Sequence, residues 1–182
     1  IEQYFNYNRD QINILNNLAE VEIGDNKEYL ELINYIQTND LSDPIHYEFI
    51  KTKIDIDNYI DYLIAEFYTA NMNWHYNNIE FWKSQLPNNK WRWVFHDCDD
   101  CFNFESYNSL ADFKFNNILL RDVPEAYLLL ARNLFKNKEF NQQFASTMRY
   151  HLNHTFAPER VINIIDSLKW QYLPEVQEHL TR

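Results

Sequence analysis

The chain has 182 residues, 46% of them apolar and 17% aromatic, with 27 acidic against 16 basic side chains and a formal net charge of −11. This composition is too apolar for disorder and too acidic for a nucleic-acid groove, which needs a basic stripe, and the length suits one domain or one lobe of a larger one. No apolar run approaches the roughly 20 residues that a membrane helix needs, and a chain that opens at Ile1 without methionine reads as a fragment of a longer protein.

Up to about Ile50 the pattern is helical. Leu30, Ile33, Tyr35 and Ile36 recur at helix spacing after Gly24-Asp25, and Asp43-Pro44 opens a second short helix with proline in its first turn. The next helix is the clearest: Ile56, Tyr59, Ile60, Leu63, Ile64 and Phe67 form one apolar face, with Asp55 or Asp57 placed to cap it. It should end near Asn71, where a turn rich in asparagine begins (Asn71, Asn73, Asn77, Asn78).

Residues 78–83 and 90–96 read as an antiparallel hairpin. Ile79 and Phe81, then Trp91, Trp93 and Phe95, alternate, and Pro87-Asn88-Asn89 supplies the turn. Residues 103–122 are ambiguous and partly loop. Helices follow over about 124–136 (Tyr127, Leu128, Ala131, Leu134, Phe135), over about 137–152, and from Pro158 (Val161, Ile164, Ile165, Leu168, Tyr172), where Pro174 should kink or end the last one. The fold class is therefore mainly α (α+β), with the hairpin carrying the chemistry.

The second strand runs straight into Asp97-Cys98-Asp99-Asp100. Three carboxylates in four residues repel one another, and a hard cation that favours oxygen ligands, Mg2+ or Mn2+, would compensate them. An EF-hand is excluded: counting from Asp97 puts Phe102 where the loop needs glycine and Asn108 where it needs glutamate. Cys98 and Cys101 read as incidental thiols beside this run, because zinc would need a second ligand pair and neighbouring carboxylates raise a thiol pKa. Redox function is not expected. The only glycine, Gly24, excludes a Walker loop and a dinucleotide fingerprint.

Asn73 and Asn78 stand five residues apart, and the Asp-rich strand end follows about twenty residues on. A protein-kinase catalytic loop has the same plan, with an acceptor-orienting residue, a metal-binding Asn five positions later, and a strand ending in a metal-binding Asp. The local wording goes further. Ala70-Asn71-Met72-Asn73-Trp74-His75-Tyr76-Asn77-Asn78-Ile79-Glu80-Phe81-Trp82-Lys83, followed by Lys90-Trp91-Arg92-Trp93-Val94-Phe95-His96-Asp97-Cys98-Asp99-Asp100-Cys101-Phe102, closely resembles the CotH family of spore-coat-type atypical protein kinases. That family's pattern runs Asn-Thr-Asp-Trp-Pro-x-Asn-Asn-x-x-x-Trp-Arg, then Lys-Trp-Arg-Trp-x-x-x-Asp-x-Asp-x-x-Phe. The resemblance extends upstream through Leu41-Ser42-Asp43-Pro44 and Ile56–Tyr62, and downstream through Phe156–Val161 and Pro174-Glu175.

The resemblance implies a kinase-like C-terminal lobe whose nucleotide-covering lobe lies before Ile1. It implies phosphoryl transfer from ATP with Mg2+ or Mn2+ to Ser or Thr of a protein substrate, in a spore-coat, cell-surface or secreted setting. Asp97 and then Asp99 become the metal-binding carboxylates, Asn78 the metal-binding amide, and Asn73 the acceptor-orienting residue. Several positions depart from the family: Asn73 stands where Asp is usual, His75 replaces proline, and Asp100-Cys101 replaces an aromatic and a small residue. An amide orients a hydroxyl but cannot take its proton, so a slowed kinase or a catalytically inactive, pseudokinase-like binding module is the expectation. A carboxylate-metal hydrolase would need a second ligand cluster that the sequence lacks. Asp100 is expected to face solvent. Trp74, Trp82, Trp91 and Trp93 are expected in the core, and His75 and His96 are expected to be structural.

Overall fold

The computed structural model describes residues 7–71, 73–74, 77–102, 108–115 and 123–180. Two compact units divide the chain, Ile1–Asn141 and Gln142–Arg182. His75, and most of the ambiguous stretch 103–122, lie outside the described residues.

The first unit holds a four-stranded antiparallel sheet, β1 (Ile12–Asn16), β2 (Glu20–Ile23), β3 (Glu80–Ser84) and β4 (Arg92–Val94), in the order β2-β1-β3-β4. The expected hairpin is thus half of a larger sheet, and the helical reading of the first fifty residues fails over residues 12–23. Here the chain is extended instead, with Ile12, Asn13 and Leu15 buried, and it reverses between the strands at Asn17 and Ala19, both at positive φ. β1 then pairs along its whole length with the distant β3, from Ile12 opposite Ser84 to Asn16 opposite Glu80. Gly24 has a local reason to be glycine. Its φ is +76°, and a Cβ there would sit 2.0 Å from Asn13 Oδ1 and 2.9 Å from the Ile12 carbonyl.

Three helices follow the sequence pattern closely: α1 (Lys27–Thr38), α2 (Pro44–Lys53) and α3 (Ile56–Thr69). Pro44 opens α2 behind Asp43, whose side chain accepts from Ile45 N at 2.8 Å, and Asp55 caps α3 by accepting from Asn58 N at 3.2 Å. Tyr29 of α1 and Tyr59 of α3 pack on one sheet face. Tyr29 meets Phe81 at 4.4 Å between ring centroids, Tyr59 meets Trp93 at 4.4 Å, and Phe81 stacks on Trp93 at 5.4 Å. All four tryptophans expected in the core are buried.

The outer edge of β4 is covered by α3 and the residues before it. Trp91 N donates to the Lys53 carbonyl, Asp55 N donates to the Trp91 carbonyl, and the Asn58 side chain acts as a short extra strand, accepting from Trp93 N at 2.7 Å and donating to the Trp93 carbonyl at 3.2 Å. Arg92 donates to Asp55 at 2.9 Å and lies over the Trp82 ring. The Trp-Arg-Trp signature therefore bolts β4 to the start of α3.

Beyond the sheet come α4 (Ser109–Phe115), α5 (Glu125–Leu134), α6 (Lys138–Asn153), which crosses into the second unit, and α7 (Pro158–Leu180). Pro174 does not end α7. The helix continues through it, since a proline removes one backbone donor and a long helix tolerates that loss. Ile164, Ile165, Leu168 and Tyr172, which periodicity sets on one apolar face, are exposed.

Candidate functional site

The site is assembled where α3 ends. Ala70 takes the left-handed conformation (φ 51°) and stops the helix, so the chain turns sharply into Asn71. Asn71 is fully buried, and both ends of its amide are used. Its Nδ2 donates to Glu66 Oε2 at 3.0 Å, and its Oδ1 accepts from Asn73 N at 3.1 Å in an Asx turn. Its own backbone N–H donates to the Glu66 carbonyl at 3.2 Å. Trp74, the next residue, is buried edge-on against Tyr62 and Phe67. These contacts tie Asn71, Asn73 and Trp74 to the end of α3.

The acidic run forms a tight loop against the same helix end. Asp97 adopts φ 52°, which bends the chain away from β4. Phe102 N donates to the Thr69 carbonyl at 2.7 Å, and the Phe102 ring meets Tyr68 edge-on. Within the loop, Cys98 and Cys101 form a disulfide with Cα atoms 5.1 Å apart, and Cys101 N donates to the Cys98 carbonyl. The expectation of two incidental thiols is overturned. A turn over four residues brings the sulfurs together, which spacing alone does not reveal.

The loop meets the Asn turn where the Asn73 side-chain amide donates to the Asp100 carboxylate. Asp100 is half-buried here, so the expectation that it faces solvent is also corrected. Asp97 and Asp99 are exposed, as are Cys98 and Phe102 of the same loop. Asn78 is half-buried at φ 56°, two residues before β3, and the pairing of Glu80 with Val94 puts Asn78 and Asp97 beyond the same end of the ladder. Among the described residues no three His, Cys, Asp or Glu side chains converge as a metal cage. His96 is half-buried beside Asp97.

Reading the sequence for function missed Glu66. Its side chain is fully buried beneath the Asn turn, and burial pushes its carboxyl up to about 8, against the opposing pull of the Asn71 hydrogen bond. A signal for it exists in the helix pattern: position 66 falls three after Leu63 and seven after Tyr59, on the apolar stripe, where a carboxylate is out of place.

A family model described as CotH kinase protein matches residues 6–182. The chain belongs to the CotH kinase family. No curated protein and no solved structure matches it. Membership supports a kinase-related function for this CotH-family chain. It also covers the second unit, whose α7 is part of the matched span. No helix among the described residues is long and apolar enough to cross a membrane.

Proposed function

We propose that this chain is the C-terminal part of a CotH-type protein kinase that transfers the γ-phosphoryl group of ATP, with Mg2+ or Mn2+, to Ser or Thr of a protein. The observation that carries this reading is the fastening of the acidic loop to the Asn turn, through Asn73 to Asp100 and Phe102 to Thr69. The Asn turn and the acidic loop come from separate stretches of sequence, and their closeness supports reading them as two halves of a phosphoryl-transfer site.

The donor set fits a hard divalent cation. Asp97 and Asp99 are exposed carboxylates on a loop closed by a disulfide, with the Asn78 amide at the same end of the sheet. Magnesium commonly takes one or two protein carboxylates and fills its remaining positions with phosphate oxygens and water, so two carboxylates and an amide would suffice as protein ligands. A bound cation would neutralise charge on the triphosphate, which a chain of formal charge −11 otherwise repels. Asn73 would orient the acceptor hydroxyl. In phosphoryl transfer, positioning and electrostatics carry most of the acceleration, so an amide there slows the reaction without forbidding it.

A second reading is favoured by the same residue. The Asn73 amide is engaged with Asp100 and takes no proton, which suits a kinase-like binding module without catalysis. Transfer of labelled phosphate from ATP by the full-length protein decides between the two. A kinase labels itself or a Ser/Thr acceptor, and Asp97→Ala lowers that labelling at least 100-fold. Nucleotide and Mn2+ binding without any transfer establishes the inert module, and transfer undiminished in Asp97→Ala overturns the metal assignment.

A further inference from the structure

Beneath the turn that carries Asn73 lies a carboxyl that the proposed mechanism does not use. Glu66 has no exposed surface, and one of its oxygens is taken by Asn71 Nδ2. The other oxygen, Oε1, and the Tyr62 hydroxyl are both buried without a well-formed hydrogen bond. Tyr62 stands one helical turn before Glu66 on α3, and its hydroxyl, like the Asn71 amide, favours the ionised carboxyl, but the cost of burying a charge outweighs both and keeps the carboxyl neutral. Glu66 binds Asn71, Asn71 binds the Asn73 backbone, and the Asn73 side chain binds Asp100. Nothing else in that chain of bonds is charged until it reaches the loop.

We propose that Glu66 is the positioning residue of the site: buried and uncharged, it holds Asn71 and through it the turn that presents Asn73 to Asp100, so that ionising it in place loosens the turn and slows transfer. The activity consequence rests on the kinase function proposed above, whereas the structural one stands by itself. Burial raises the Glu66 carboxyl to about 8, so the loosening falls on the alkaline side of neutrality. Among the described residues the titratable group facing Glu66 is Tyr62, whose hydroxyl burial pushes well above the usual phenol range, so it stays neutral throughout. Asn71, across from it, does not titrate. A displacement of the reacting groups on the order of 1 Å lowers rates by up to about 100-fold, so a loosened turn is sufficient cause.

The test uses the full-length protein, with kcat and KM for ATP measured from pH 6 to 9.5. With a carboxyl ionising near 8, about a tenth of the molecules keep it neutral at pH 9, so kcat of the unaltered protein should fall roughly tenfold while KM holds within about twofold. Glu66→Ala should lower kcat tenfold or more at every pH. Glu66→Gln keeps an oxygen for Asn71 and a donor for Tyr62, and should recover most of that loss and keep it at pH 9. Hydrogen exchange of the 71–74 segment, corrected for the intrinsic effect of pH, is the second arm. Protection there should drop above pH 8 in the unaltered protein and persist in Glu66→Gln. Superimposable alkaline limbs for the unaltered protein and Glu66→Gln overturn the inference. If the protein transfers no phosphoryl group, the proposed function fails, and the exchange arm alone decides: equal loss of protection in both proteins overturns the role of Glu66.

Discussion

Glu66→Gln should change how stability depends on pH. The Glu66 carboxyl is fully buried and titrates near 8, against an ordinary value of 4.5 that the unfolded chain should restore. Between those values the folded protein keeps a proton that the unfolded chain has lost. Stability therefore falls as pH rises through the window, and the loss levels off above about 8, where both states are ionised. At ~1.36 kcal/mol for each pH unit, and roughly three units between pH 5 and 8, the loss from this one group is about 4 kcal/mol. Glutamine fills the same space and has no proton to lose. In urea unfolding series at pH 5, 6, 7 and 8, the variant's stability minus that of the unaltered protein should climb by about 4 kcal/mol across the range. All other titrating groups are common to both proteins and cancel in the difference. A difference that stays flat within about 1 kcal/mol would refute an ionisable carboxyl sealed beneath the turn.

Asn73→Asp should set a second carboxylate against Asp100 and destabilise the protein by roughly 2–4 kcal/mol at pH 7, since two unit charges about 4 Å apart repel by ~4 kcal/mol at an effective dielectric near 20. Adding Asp100→Asn should restore the urea midpoint, and failure of the double variant to recover would show that the two side chains do not meet. Gly24→Ala should cost about 2–4 kcal/mol, because the position needs φ +76° and the new Cβ would collide with Asn13, which already serves Asp25 N and Gln85. A thermal midpoint within about 2 °C of the unaltered protein would count against that close approach. Asn58→Ala should cost about 2–3 kcal/mol through its two bonds to the Trp93 backbone. A loss below ~0.5 kcal/mol in denaturant would mean that β4 is held by its pairing with β3 alone.

Much of the architecture was legible in the sequence wherever one strong period ran unopposed. α3 follows from Ile56, Tyr59, Ile60, Leu63, Ile64 and Phe67, and its start at the Asp55 cap is where the pattern puts it. β3 and β4 follow from alternating aromatics around a Pro-Asn-Asn turn. β1 and β2 were not legible, because β3, the second partner of β1, lies nearly seventy residues away and β2 leaves Val21 exposed, so neither shows a clean inside and outside. The Asp100 contact was hidden for a related reason. It depends on a loop folded by the Cys98–Cys101 bond and anchored by Phe102 on Thr69, neither of which local spacing encodes. Glu66 was legible in principle, as a carboxylate on an apolar stripe, but helix periodicity places a side chain on a face without naming its partner.

What unites the site is a single helix. The N-terminal turn of α3 grips β4, through Asp55 to Arg92 and through Asn58 to Trp93, and so fixes the strand that delivers the acidic loop. Its C-terminal turn carries Asn71 and Asn73 on one side and receives Phe102, at the far end of the same loop, on the other. Both ends of the loop are thus referred to one rigid rod of 14 residues, about 21 Å long at 1.5 Å per residue. Deformation is then confined to the few residues between β4 and Phe102, and there the disulfide and the Asn73–Asp100 bond restrain what remains. A site built this way needs no dense cluster of ligands in the sequence to be well ordered. Its order comes from the frame, and the weakest element of that frame is the one buried carboxyl whose charge state decides whether the turn at the end of α3 holds.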